Sequence, residues 1–361
     1  MLDNKVNVLK ALAIMIIVSG HLEFSLIPMF PPYSFHLALF FFISGYLFKE
    51  KYLDSVQEFI VKKVKSLLVP YYLYIAFYLV VTIIIAKLTG KFWGMPITLK
   101  NYLLTPFING HQLDLSCPLW FVTQLFMTMI CFLFVFRKLR ELKDNKWFHL
   151  GVFLLLALIS MPLAMYRTDG VMLIAIRTLF SMFFVYLGFF YKNNIEGKYN
   201  IFSTKVLYAV VALQALLWLT NKDYTPADGI GLSYILVWGE FDSFVVPILT
   251  SLTGIWVSLF IVEKLYPYLK NNKFIYQMGQ NTYHIMANHL FIFYLITVTL
   301  MAIKGIPISV KNEHDIYWFL SPLKTTYLYF VLTMFISTYV GVALKLFHQK
   351  ISTILKSKLS D

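Results

Sequence analysis

A neutral imidazole is the side chain best suited to take a proton from a hydroxyl near neutral pH. His21 and His36 flank one short turn, Pro28 to Pro32, so the two rings can meet at one mouth. Lys10 stands eleven positions before His21. On a helix that is about three turns, or roughly 16 Å, so both side chains project from nearly one face. Such a pair could line one tunnel, with the lysine holding an anionic ligand such as a phosphorylated cofactor and the histidine acting as base. The same spacing is met if Lys10 snorkels to one membrane interface and His21 to the other. Paired histidines also bind metals. Here the only close carboxylate is Glu23 and both cysteines lie elsewhere, so no metal is expected.

Ionisable groups at membrane depth are costly and face a cavity or a partner. Besides the amino-terminal group, Arg177, Glu240, Asp242, His284 and His289 sit within or beside apolar runs. Arg177 either serves the site or pairs with a carboxylate inside the bundle. Trp120 is either an interfacial anchor or a substrate platform. Asn281, His284 and Asn288 share roughly one helical face, where interhelical hydrogen bonding is the favoured reading. His289 and Glu240 are candidate substrate contacts, with Asp242 beside the latter.

These residues need elements to carry them, and the composition says which. The 361 residues are 59% hydrophobic and 14% charged, with a mean hydropathy of +0.70. A soluble domain carries roughly 25% charge, so this chain could not cover itself with a polar surface. The net charge of +13 is spread in short clusters between apolar runs, as in membrane-protein loops and not as on a nucleic-acid-binding face. An all-α polytopic bundle of about ten transmembrane helices is expected, as one domain over 1–361 with no fused soluble domain. The spans are placed near 6–22, 34–48, 67–87, 118–136, 148–166, 171–191, 203–220, 243–262, 279–303 and 322–346, each near the roughly 20 apolar residues a bilayer requires. The stretch 230–238 is too short to span and reads as re-entrant or interfacial. The first run contains Lys10 and has no small-residue cleavage site before Pro28, so it is read as a retained helix.

Counted on this layout, 22 Lys and Arg fall on the side of the amino terminus and eight on the other. That bias predicts a cell-membrane protein with both termini cytoplasmic. The longest connector, about 88–117, lies on the outer side. It carries Trp93, His111 and Asp114 and could cap a site there. Cys131 falls inside an apolar run, so no disulfide with Cys117 is expected.

Asn7-Val8-Leu9-Lys10-Ala11-Leu12-Ala13-Ile14, running on to Ser19-Gly20-His21, resembles the opening of the membrane acyltransferase 3 family. Lysine for the usual arginine points to the branch like fucose 4-O-acetylases. Phe35 to Phe48 resembles the family's second-helix signature, and Leu119-Trp120-Phe121-Val122 its Leu-Trp-Phe motif. Arg177 with Phe183-Phe184 and Leu187-Gly188 is similar to its sixth-helix pattern. Met278-Gly279-Gln280-Asn281-Thr282, leading to Ile285-Met286 and His289, is similar to the ninth. Asn7 and Ala11 depart from the pattern, where an acidic residue and a glycine are usual.

The resemblance implies transfer of an acyl group, usually acetyl, from cytoplasmic acyl-CoA to a hydroxyl of a glycan or glycolipid. On that reading His21 is the general base and His36 orients it. Lys10 and Arg177 bind the donor, and Trp120, Glu240 and His289 contact substrate. Membrane lipids are the other expected partners, nucleic acid is not one, and oligomeric state is not readable. The competing class is a transporter or flippase for a lipid-linked glycan, for which matching broken helices in two halves are expected and not found. A glycan polymerase would need a large outer loop rich in Arg and carboxylates, which 88–117 is not.

Overall fold

Hydrocarbon offers no water to a peptide group, and a helix satisfies its backbone within one segment. Each of the ten apolar segments falls on a helix in the computed structural model, which describes residues 4–220, 234–241 and 243–358. Among the described residues, seven helical stretches are long and apolar enough to cross a bilayer: Val56–Thr89, Asp114–Leu142, Lys146–Tyr166, Gly170–Asn194, Val246–Leu269, Thr282–Ile303 and Pro322–Lys350. The other three are shorter. They are α1 (Asn4–Gly20), α2 (His36–Tyr46) and α8 (Thr204–Thr220), of 17, 11 and 17 residues, under the roughly 20 that span unaided. The bundle therefore has seven candidate spans where the sequence predicts ten.

The helix that carries the third apolar run begins earlier than the run itself. A basic helix α3 (Val56–Lys63) passes through one π turn (Val64–Leu68) into α4 (Val69–Thr89), which Gly90 ends in a left-handed conformation, φ 77°. Next come α5 (Trp120–Leu142), α6 (Lys146–Tyr166) and α7 (Gly170–Asn194). Asn145 starts α6 by accepting from the backbone N–H of Trp147 and Phe148 at 2.9 and 3.0 Å. After α8 the described chain resumes in a two-stranded hairpin, β1 (Tyr234–Ile235) and β2 (Glu240–Phe241), pairing Tyr234 with Phe241 and Ile235 with Glu240. This hairpin amends the all-α expectation and holds most of the piece read as re-entrant. Residues 230–233 and Asp242 lie outside the described residues. Then follow α9 (Val246–Leu269), α10 (Lys273–Gln280), α11 (Thr282–Ile303), α12 (Ser309–Glu313) and α13 (Pro322–Lys358).

Helix α1 is apolar nearly all round and is accordingly enclosed, by α2, α9, α10 and α11. Helix α7 packs against α2, α5 and α6, and α11 against α13. The outer faces of α4, α6 and α13 expose large apolar side chains such as Leu88, Met165 and Val331, as a lipid-facing surface would.

Close approach of α2 and α7 depends on two glycines. A Cβ added at Gly188 would lie 1.9 Å from the Phe42 carbonyl oxygen, and one at Gly45 would lie 1.7 Å from that of Val185. Small residues let membrane helices touch backbone to backbone, and here the neighbour is itself backbone and has no rotamer to yield. Gly188→Ala and Gly45→Ala are each expected to destabilise the bundle by about 3 kcal/mol. Thermal melting in detergent checks this, and Gly151→Ala, where the added Cβ meets open space, is the matched control. Equal melting of all three variants would refute the packing account.

Candidate active site

Helix α1 ends at Gly20, and His21 opens the turn to α2, its N–H still bonded to the Ile17 carbonyl at 3.2 Å. Three rings surround its half-buried imidazole. His289 of α11 is nearest, with ring centroids 4.9 Å apart. Tyr317 stacks nearly parallel at 5.7 Å, and Tyr33 meets it edge-on at 6.3 Å. His36 lies one ring further out, in contact with Tyr33 at 5.0 Å. Its Nδ1 donates to the Pro32 carbonyl at 2.5 Å, so the turn between the histidines fixes its ring. The structure thus gathers His21, His289 and, through Tyr33, His36.

The connector between α4 and α5 does more than cap. Gly94 pairs with Leu113, the Met95 N–H reaches the Gln112 carbonyl at 2.8 Å, and Tyr71 of α4 donates to Gln112 Oε1 at 3.0 Å. The segment 114–119 packs on α11. His111 Nε2 then lies 3.4 Å from Cys117 Sγ, which lies 3.9 Å from the Tyr317 hydroxyl. Burial, and then the Arg177 guanidinium, push the His111 imidazole down to about 4, so it is neutral at ordinary pH.

Tyr317 is held by Lys311, which is fully enclosed. Its ammonium donates to the carbonyls of Asp315, Ile316 and Trp318 at 2.6, 3.3 and 2.8 Å. The Trp93 and Trp318 rings flank it at 5.4 and 5.5 Å. Burial pulls this lysine down to about 8, against Asp315 and with help from Lys91. An ammonium has three N–H donors, and each has a carbonyl. This clamp ties the α11–α13 connector to Trp93 of the α4–α5 connector, with Tyr317 between Ile316 and Trp318.

Arg177 lies in the wall and not in the ring cluster. Its guanidinium donates to the backbone carbonyls of Leu236 and Ile108 at 3.1 and 3.0 Å and to that of Val237, and sits 5.1 Å over the Trp120 ring. It therefore joins the β1–β2 turn to the α4–α5 connector. Glu240 is exposed on that hairpin, and Trp238 at its tip meets the edge of His111 at 5.0 Å.

Lys10 is half-buried towards the other end of α1, close enough to Lys345 of α13 for the charges to repel. Among the described residues neither forms an ion pair with a carboxylate. Nearby, Asn7 donates to the Tyr276 carbonyl and accepts from Gln280, each at 2.8 Å, and Lys345 donates to the Gln280 carbonyl at 2.6 Å. Among the described residues no three His, Cys, Asp or Glu side chains are grouped to hold a metal ion. Tyr317 and Lys311 are functional candidates that pattern reading passes over. The one local signal is the aromatic run Tyr317-Trp318-Phe319, which, after Ile316, follows the polar stretch Lys311 to Asp315.

A family model described as an acyltransferase domain matches residues 3–346. Neither a curated protein nor a solved structure matches the chain.

Removing the clamp leaves buried carbonyls unpaired, at roughly 1–3 kcal/mol apiece. Lys311→Met is therefore expected to speed backbone hydrogen exchange across 308–320 in detergent while leaving α6 unchanged. Lys311→Arg, which keeps the charge and donors, should fall between wild type and Lys311→Met. Unaltered exchange in Lys311→Met would show that the carbonyls are held by something else.

Proposed function

The chain belongs to the acyltransferase domain family, whose model spans residues 3–346, and from that premise we propose a membrane O-acyltransferase of acetyl-transferring type. In this reading it moves the acyl group of cytoplasmic acyl-CoA to a hydroxyl of a cell-surface or exported glycan, as in the fucose 4-O-acetylase-like branch. The observation that carries the reading is the grouping of His21 with His289 at one end of α1 while two cations, Lys10 and Lys345, approach each other towards the other end. Cations without carboxylate partners suit the phosphates of an acyl-CoA. The excess of Lys and Arg on that side supports a cytoplasmic position for the Lys10 end and for both termini. The three short helices complete ten crossings of the cell membrane.

The proposed chemistry is a single displacement at the thioester carbonyl. His21 takes the proton of the acceptor hydroxyl as the oxygen attacks. The carbonyl carbon gains a C–O bond and loses its C–S bond, and the CoA thiolate leaves with the proton that His21 gives up. His36, held by Pro32, shapes the acceptor side through Tyr33. Arg177 and Trp120 hold the wall, since three of the guanidinium N–H groups are spent on carbonyls. Glu240 is exposed on the hairpin, and in this reading its carboxylate accepts from acceptor hydroxyls.

Purified protein in detergent, given radiolabelled acetyl-CoA and a pool of sugar and glycolipid acceptors, is expected to label an acceptor and release CoA. His21→Ala should cut that turnover by roughly 10²–10⁴, the worth of a positioned general base. Failure of wild type to turn over donors of several chain lengths would overturn the reading and favour a transporter.

A further inference from the structure

Two buried nitrogens of the ring cluster have no hydrogen-bond partner: Nδ1 of His21 and Nε2 of His289. An unsatisfied buried polar atom costs roughly 1–3 kcal/mol, so two of them in adjoining rings call for a cause. The tautomer of His289 follows from its one bond. Nδ1 contacts the Ile285 carbonyl at 3.2 Å, and a carbonyl can only accept, so Nδ1 carries the proton. Nε2 is then a bare lone pair on a side chain with no solvent exposure. The ring 4.9 Å away, inclined at 39°, is His21. Two imidazoles joined by an N–H···N bond of roughly 2.9 Å have their centroids about 5 Å apart, which is the separation these two rings show.

We propose that His289 is the positioning residue of His21, accepting a hydrogen bond from His21 Nδ1–H through its own Nε2. This rests on the acyl-transfer reading above. The bond satisfies both orphaned nitrogens at once. It fixes the proton of resting His21 on Nδ1 and leaves Nε2 as the base that faces the acceptor hydroxyl. When Nε2 takes that proton, the imidazolium keeps its Nδ1–H bond to the His289 lone pair, and His289 itself gains and loses no proton. Carboxylates do this in hydrolytic triads. A neutral imidazole does it without placing an anion at membrane depth.

The other neighbours cannot take the part. His36 spends its Nδ1–H on Pro32 and is separated from His21 by Tyr33. Tyr317 lies nearly parallel to His21, interplanar angle 11°, and its hydroxyl has Cys117 Sγ as its neighbour at 3.9 Å. Phe293 fills a further side of His289 at 5.7 Å with no polar atom. The titratable groups around His21 are thus His289 of α11, His36 of α2, Tyr33 of the first turn, His111 of the α4–α5 connector and Tyr317 of the α11–α13 connector.

The test compares full-length wild type with His289→Phe, which keeps a ring but no acceptor, and His289→Gln, whose carbonyl oxygen can accept. His289→Phe is expected to lower kcat roughly a hundredfold or more with the KM for acyl-CoA unchanged. Losing the acceptor makes His21 a weaker base, so the acid limb of the kcat profile should move to lower pH. His289→Gln should recover at least tenfold over His289→Phe and return the limb towards wild type. A role in packing alone would lower melting temperature and leave the limb where it is, and that outcome overturns the proposal. Should His289→Phe fail to fold, histidine nitrogen chemical shifts of wild type decide the matter: the proposal requires the proton of neutral His21 on Nδ1, and finding it on Nε2 overturns it. Wild type that turns over no acyl-CoA sinks the functional reading itself, whereas active wild type with a fully active His289→Phe sinks only the part given to His289.

Discussion

Helix α1 has almost no side to offer to lipid. Val6, Ala13, Ile14 and Val18 are buried, and so is Asn7, because α2, α9, α10 and α11 surround it. A helix so enclosed cannot tilt or slide without unpacking its neighbours, and its near end is pinned by the bonds of Asn7 to Tyr276 and Gln280. Gly279 sits against Asn7, where any side chain would strike the Asn7 backbone and amide. With one end fixed, the position of His21 follows from helical rise alone. The ring cluster is the far terminus of a rod whose near terminus is locked.

Two polar groupings on α11 show how satisfaction separates structure from chemistry. On the face towards α4, Tyr74 meets His284 at 2.7 Å, Asn288 donates to Tyr74 at 3.0 Å, and Tyr78 donates to Asn288 at 2.8 Å. These bonds knit two helices in the way polar side chains do where no water competes. Five positions beyond His284, His289 leaves Nε2 unpaired beside His21. One helix thus carries a paired histidine that joins and an unpaired one that remains available. Burial alone does not distinguish them, and residue type does not either.

Sequence pattern reached the helices because lipid imposes a length and a hydrophobicity on each segment. It reached Gly45 and Gly188 only as motif letters; the backbone contacts that require them join residues more than a hundred positions apart. His21 and His36 were legible because a short proline turn links them locally, and the structure puts Tyr33 of that turn between them. His289 was legible as a candidate but not as the neighbour of His21, and nothing in its spacing separates it from His284. Arg177 stood out as a charge in an apolar run, yet its partners are carbonyls, which leave no trace in residue type. Lys311 escaped notice for the same reason: in sequence it is one of several lysines in connectors, and its enclosure by Trp93 and Trp318 joins segments over two hundred positions apart.

The wall of the site is built mainly from connectors. Tyr33 comes from the α1–α2 turn, His111 and Cys117 from the α4–α5 connector, Tyr317 from the α11–α13 connector, and Trp238 from the hairpin. Two buried cations, Arg177 and Lys311, tie these segments together through carbonyl oxygens, which any residue supplies. Side chains in the connectors can therefore change while the backbone bonds that hold them remain. In the proposed reaction the donor meets the enclosed end of α1 near Lys10, whereas the acceptor meets this connector-built wall. Donor recognition is then constrained by helix packing, and acceptor recognition is free to vary with the residues that the two cations hold in place.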